Sequence, residues 1–224
     1  AELAMPRSEL PEYIRYATEM KKKYEGTLEL AVGLEMDYLD GHESFSDGIL
    51  EPYLDVLEDA VVSVHYLAGR DGMYCVDFTA DDFRANLLSY YGTMDRAADE
   101  YFDQIEKSIA WAAKLPMRRR IGHPLLITKF ARELPPIDPA LIRRRLERIA
   151  GLLAQAGIGV DVNTAGLRVP TCGHAYAPVW FIRQCLEQGI EVVYGSDSHK
   201  PEQVGFGYNY FQAAIEGKVP DETD

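Results

Sequence analysis

Two kinds of segment alternate along the chain. Short, apolar, β-branched runs recur at Leu28–Leu39, Ala60–Leu67, Arg120–Ile127, Gly157–Thr164 and Glu191–Ser196. Between them lie longer stretches whose apolar positions return every three or four residues, the period of a helix with one buried face. Local punctuation marks the ends of these helices. Pro11 to Tyr24 reads as the first and stops before Gly26. Thr79 is placed to cap Ala80 to Tyr90, which ends at Gly92, and Met94 to Leu115 is a long amphipathic run closed by Pro116. Asp138 precedes Pro139, a cap followed by a first-turn proline, and Gly157 sits just past the end of that helix. Ala177 to Gln188 is stopped by Gly189.

Strands that alternate with helices imply a parallel sheet joined by crossovers. The strand runs are apolar nearly throughout, as expected where both faces are covered. The pattern therefore predicts an α/β fold, and a closed or nearly closed barrel and an open doubly wound sheet both satisfy it. No GxGxxG or GxxxxGK[ST] loop follows a strand, which removes the main support for a nucleotide-binding sheet. There is no internal repeat and no linker-like stretch, so residues 1–224 are expected to form a single domain.

Composition narrows the function classes. No apolar stretch approaches the roughly 18–20 residues that a membrane span needs. Cys75, Cys172 and Cys185 are an odd number and widely spaced, which fits reduced thiols in the core of a cytoplasmic protein rather than a disulfide frame. A net charge of −13 argues against a nucleic-acid partner, because phosphate backbones need concentrated Lys and Arg. Two basic clusters, Arg118-Arg119-Arg120 and Arg143-Arg144-Arg145, read as solvated surface. A small anionic substrate remains compatible if metals and a few placed cations supply local positive charge.

The candidate chemistry lies at the strand ends. Glu35 follows Ala31-Val32-Gly33-Leu34, His65 ends Val61-Val62-Ser63-Val64, and His123 follows Arg120-Ile121-Gly122. Asp161 and Asn163 end Gly157–Val162, and Asp197 and His199 follow Val192 to Ser196. Ligand-type residues at the C-terminal ends of parallel strands converge although they are distant in sequence. Imidazole with carboxylate suits zinc, iron or manganese. A lone histidine after a strand is more often a core residue, but three of the chain's five fall at such ends beside acids, which favours a metal site. His42 reads as a loop residue, and His174 is a candidate for the mouth of the site.

Five segments together resemble, in the same order, motifs of the polymerase-and-histidinol-phosphatase superfamily. They are Gly33-Leu34-Glu35-Met36-Asp37-Tyr38, Ser63-Val64-His65-Tyr66, Ile121-Gly122-His123-Pro124, Asp161 to Arg168, and Gly195 to Pro201. The likeness is closest to the histidinol-phosphatase branch and runs from about Leu28 to Gly207. The resemblance implies a distorted seven-stranded, TIM-like β/α barrel around two or three divalent metal ions (zinc, manganese or iron). It implies Glu35 as a bridging ligand, with His65, His123, Asp197 and His199 completing the set and Glu35 and Asp197 as the catalytic carboxylates. Arg168 would take the substrate phosphate, with Lys129 and His174 as weaker candidates for substrate contact. The implied reaction is hydrolysis of L-histidinol phosphate, a small phosphorylated substrate, in histidine biosynthesis.

The chain departs from that family in one respect. The barrel usually opens with a His-x-His motif on its first strand, with another histidine after the second. Neither is present, so about five of the seven strands are expected here and the domain is expected to be N-terminally incomplete, with weakened metal loading and activity. Three other readings stay open: another phosphoesterase of the superfamily, a carbon–nitrogen amidohydrolase, and a non-catalytic remnant. The amidohydrolases usually bridge their metals with a lysine where this chain has Glu35, which favours phosphoesters.

Overall fold

The computed structural model describes residues 4–219. Five strands, β1 (Gly33–Asp37), β2 (Asp59–Ser63), β5 (Arg118–Ile121), β6 (Gly159–Asn163) and β7 (Val192–Gly195), form one sheet in that spatial order, every neighbouring pair parallel. Two short strands, β3 (Tyr66–Ala68) and β4 (Met73–Cys75), form an antiparallel hairpin apart from it. The order of the main sheet never reverses. Parallel neighbours laid down in one direction need crossover connections, and the intervening helices supply them. Among the described residues β1 and β7 are the sheet's two edges.

The helices form where caps and periodicity place them. Thr79 accepts from the Asp82 N–H, Thr93 from Arg96, and Asp138 from Ala140, while Gly92 and Gly157 end their helices in the left-handed conformation. The helix Met94–Ala112 turns Ala97, Ala98, Tyr101, Phe102, Ile105 and Ile109 inward, all buried. Burying each large side chain of that stripe contributes about 1.5–3 kcal/mol. Pro139–Ala156 packs beside it through Leu146, Ile149 and Leu153, and Val179–Glu187 continues the layer through Phe181, Ile182 and Cys185. No helix among the described residues is long and apolar enough to cross a membrane.

Several boundaries differ from the sequence reading. Only Gly33–Asp37 of the run Leu28–Leu39 pairs, because β2 offers five residues of register. The run Ala60–Leu67 breaks at Val64-His65 and enters the hairpin. Helices Glu43–Leu50 and Tyr208–Ile215 were not expected from the pattern, and the helix over 80–91 is π-wound at Phe83–Leu88.

The larger correction concerns the arginines. Arg118-Arg119-Arg120 makes up most of β5, paired to β2 and β6, and of the three only Arg118 is exposed as surface. Arg120 is mostly buried between Asp59, which it ion-pairs, and Asp161, 3.9 Å away. In the second cluster Arg143 and Arg144 are exposed as expected, Arg143 lying 4.5 Å over the Trp180 ring, whereas Arg145 is held by Asp103, Asp99 and Glu106 of the neighbouring helix.

Candidate metal centre

The C-terminal ends of the parallel strands open onto one cavity of about 570 Å³, whose wall includes Glu35, His65, His123, Asp197 and His199. That volume falls in the range of small-molecule sites, roughly 300–1,000 Å³. Glu35 is the middle residue of β1, and strand alternation puts Asp37 on the same face. His65 lies two residues beyond β2, whose register sets Asp37 opposite Ser63. His123 and Asp197 each lie two residues beyond a strand, with φ of 27° and 49°. They are the positive-φ residues other than glycine among those described. Such backbone costs about 1–3 kcal/mol, and both instances fall at this cavity.

Glu35 is the point of convergence. Its Oε1 lies 3.1 Å from His123 Nε2 and 3.8 Å from His65 Nε2, and it accepts a 2.7 Å hydrogen bond from the Ser63 hydroxyl. One ligand atom from each of Glu35, His65 and His123 lies within 4.8 Å of the others. Burial disfavours the Glu35 carboxylate, but the His123 ring, the Ser63 hydroxyl and the charge of His65 outweigh it and hold the group at about 2. Burial likewise opposes protonation of His65, and Asp37, 2.6 Å from its Nδ1, more than compensates, so its affinity for a proton is raised. A carboxylate on the second imidazole nitrogen fixes ring orientation and tautomer, as outer-shell partners of metal-bound histidines do. On the loop after β7, Asp197 Oδ1 lies 3.0 Å from Nε2 of the exposed His199.

Asp161 lies within β6, where burial pushes its carboxyl up to about 6 against the charges of His123 and Arg120. Position 195 must be small for it to fit, since a Cβ there would overlap the Asp161 carboxylate. Gly122 works the same way: a Cβ there would overlap Ser63 Oγ and come within 2.8 Å of Val61 Cγ1. Gly122→Ala is therefore expected to lower stability by about 1–3 kcal/mol through overpacking. A urea midpoint equal to wild type would show that β2 yields without cost.

The remaining expectations divide. Lys129 lines the cavity, but its Nζ is paired to Asp77 at 2.8 Å. Arg168 lines it too, yet donates to the Ser196 and Asp197 carbonyls at 2.7 and 2.6 Å. His174 is not brought to this cavity: it lines a separate apolar one of about 440 Å³ with Phe130, Leu134 and Trp180. The glycine before it, with φ of 90°, turns the chain away from the strand ends. Asn163 is spent on the turn after β6, where its side chain accepts from the Ala165 N–H. His42 is the residue before the helix Glu43–Leu50. Cys172 and Cys185 are buried free thiols, but Cys75 lines the cavity and donates to Asp77. Sequence reasoning missed Asp37 and Asp77. The Glu-x-Asp spacing on a strand could have found Asp37, whereas Asp77 carries no local signal.

The residues fit a divalent cation. Bonds of about 2.0–2.2 Å to nitrogen and oxygen place neighbouring ligand atoms a few ångströms apart, as these three are. The donor set itself suits such an ion: two imidazole nitrogens, His65 Nε2 and His123 Nε2, face one Glu35 carboxylate oxygen.

Comparison with known proteins follows the same line. The histidinol-phosphatase of Bacillus subtilis is 30% identical over 208 residues, covering 93% of this chain and 77% of that protein. A crystal structure from Listeria monocytogenes, assigned as a histidinol phosphatase, matches with a TM-score of 0.86 at 33% identity over 93% of this chain and 78% of that one. The fold is shared with histidinol phosphate phosphatase of Lactococcus lactis, solved with zinc, L-histidinol and phosphate. That match has a TM-score of 0.67 at 15% identity and covers 93% of this chain and 74% of that one. No protein-family model matches the sequence.

Proposed function

Because this chain belongs to the histidinol-phosphatase family, we propose that it is a metal-dependent phosphomonoesterase that hydrolyses L-histidinol phosphate to L-histidinol and phosphate. The observation that carries this reading is the convergence of Glu35, His65 and His123 on one point of a cavity that Asp197, His199, Arg168 and Lys129 also line. The one-way strand order supports the finer architecture, a distorted seven-stranded barrel to which these five strands belong.

In this reading Glu35, His65, His123, Asp197 and His199 hold two or three divalent cations, zinc, manganese or iron. When bound, these supply Lewis acidity toward water and toward the phosphoryl oxygens. Glu35 would supply the carboxylate that offsets the cations' charge, and the Ser63 hydroxyl orients it. Asp37 holds His65 in the tautomer whose Nε2 faces Glu35. Asp197, which lines the same cavity, is the second catalytic carboxylate. Arg168 retains three of a guanidinium's five N–H donors after its two carbonyl bonds, and it would meet the phosphate with these, beside a Lys129 that Asp77 holds in the same cavity wall.

The test is phosphate release from L-histidinol phosphate by the purified chain, supplied with zinc or manganese and then stripped by a chelator. Hydrolysis in the loaded preparation, abolished by stripping and restored by the cation, is expected. Equal rates with and without cation would overturn the metal-dependent reading. Faster release from nucleoside monophosphates would move the substrate to another class of small phosphoester.

A further inference from the structure

Asp197 stands in a conformation that an aspartate does not adopt for nothing. Its φ is 49°, on a loop that leaves β7 and carries His199 two residues on. An isolated turn of this kind relaxes unless its surroundings over-determine it. The surroundings here are carbonyl bonds from the segment after β6. Thr164 takes the Gly195 carbonyl through both its N–H and its hydroxyl, at 2.8 and 3.0 Å. Arg168 takes the next two, Ser196 through one terminal nitrogen and Asp197 through the other. The Phe206 ring lies 5.2 Å beneath the guanidinium, and the Phe206 carbonyl is itself held by Thr164 and Tyr194.

Three successive carbonyls, 195 to 197, are thus gripped from one short segment, the last two by a single planar group. A fork with two donor arms at fixed separation suits two adjacent carbonyls; an ammonium on a flexible stem does not reproduce it. We propose that Arg168 is a positioning residue for the metal centre. Its guanidinium locks the left-handed turn at Asp197 and so sets the places of Asp197 and His199 before any substrate arrives. The role is separate from phosphate contact and changes what its loss should do. A group that touched only the phosphate would leave cation binding intact when replaced, whereas a clamp on the ligand loop would not.

The proposal rests on the metal-dependent reading above, and cation binding in the absence of phosphate and substrate tests it. Zinc or manganese affinity is measured by titration for wild type, Arg168→Lys, Arg168→Ala and Phe206→Leu. Far-UV circular dichroism checks that each chain is folded. Both Arg168 variants are expected to bind cation about 10- to 100-fold more weakly, the usual cost of losing an outer-shell partner. Added guanidinium ion should restore part of the affinity of Arg168→Ala. Phe206→Leu, which removes the stacking face and leaves the fork, should show a smaller loss in the same direction. It also keeps the test alive if an Arg168 variant fails to fold. Folded variants that bind cation as wild type does would overturn the clamp and leave Arg168 to the phosphate alone. A wild-type chain that takes up no cation would instead overturn the metal-dependent reading on which the clamp depends.

Discussion

Glu35→Gln should empty the metal centre while leaving the protein folded. The amide keeps the shape of the side chain and removes the charge on which His65 and His123 converge. Its nitrogen would also present a donor where the site offers the Ser63 hydroxyl and two imidazoles. The side chain is 45% exposed, so little core packing depends on it and the unfolding midpoint should stay close to wild type. Cation affinity should fall by at least about 100-fold, the upper end of what removing a mere outer-shell partner costs. Phosphate release from L-histidinol phosphate should fall with it. Metal analysis after dialysis checks the first effect and an activity assay the second. A variant that keeps its full metal content would show that Glu35 is no ligand.

Arg120→Met should be the most destabilising of the single substitutions proposed. Arg120 links Asp59 of β2 with Asp161 of β6, and the side chains of all three are no more than 16% exposed. Removing one partner from a buried charge group leaves the others uncompensated, at a cost of about 3–5 kcal/mol. Methionine keeps most of the volume, so the loss reports charge rather than a cavity. Urea unfolding measures it, and adding Asp59→Asn to Arg120→Met should recover part of the loss by removing one stranded charge. An unchanged midpoint in the single variant would mean that Arg120 is solvated after all.

That arginine marks where reading the chain reached its limit. Its partner Asp59 lies 61 residues away, and the apolar run that announces the strand starts only at Arg120, the last of the three arginines. Charged residues are rare in covered strands because an unpaired charge there is expensive. Three together read as surface until the sheet brings acids from both neighbouring strands to meet them. His174 shows the same limit from the other side. A histidine in a loop after a strand reads as a candidate for the mouth of the site, but His174, after the left-handed Gly173, lines a separate apolar cavity.

What the sequence determined by itself is what short-range physics encodes. Thr79, Thr93 and Asp138 satisfy N–H groups within three residues of themselves, and Gly92 and Gly157 relieve a left-handed turn wherever it occurs. The helices with such end signals could therefore be placed to within a few residues, whereas Glu43–Leu50 and Tyr208–Ile215, without a side-chain cap, could not. Histidines and acids just beyond apolar runs were legible for the same reason, since their position relative to a strand end is local. Tertiary structure alone decided which of them meet. Glu35 and His123 are 88 residues apart, and only the register of β1 on β2 and of β2 on β5 sets them 3.1 Å from each other. It also decided that Asp37 serves His65, that Asp161 fits because residue 195 has no side chain, and that Arg168 holds the loop bearing Asp197. Those contacts form between strands and loops that follow different helices, so no window of sequence contains them.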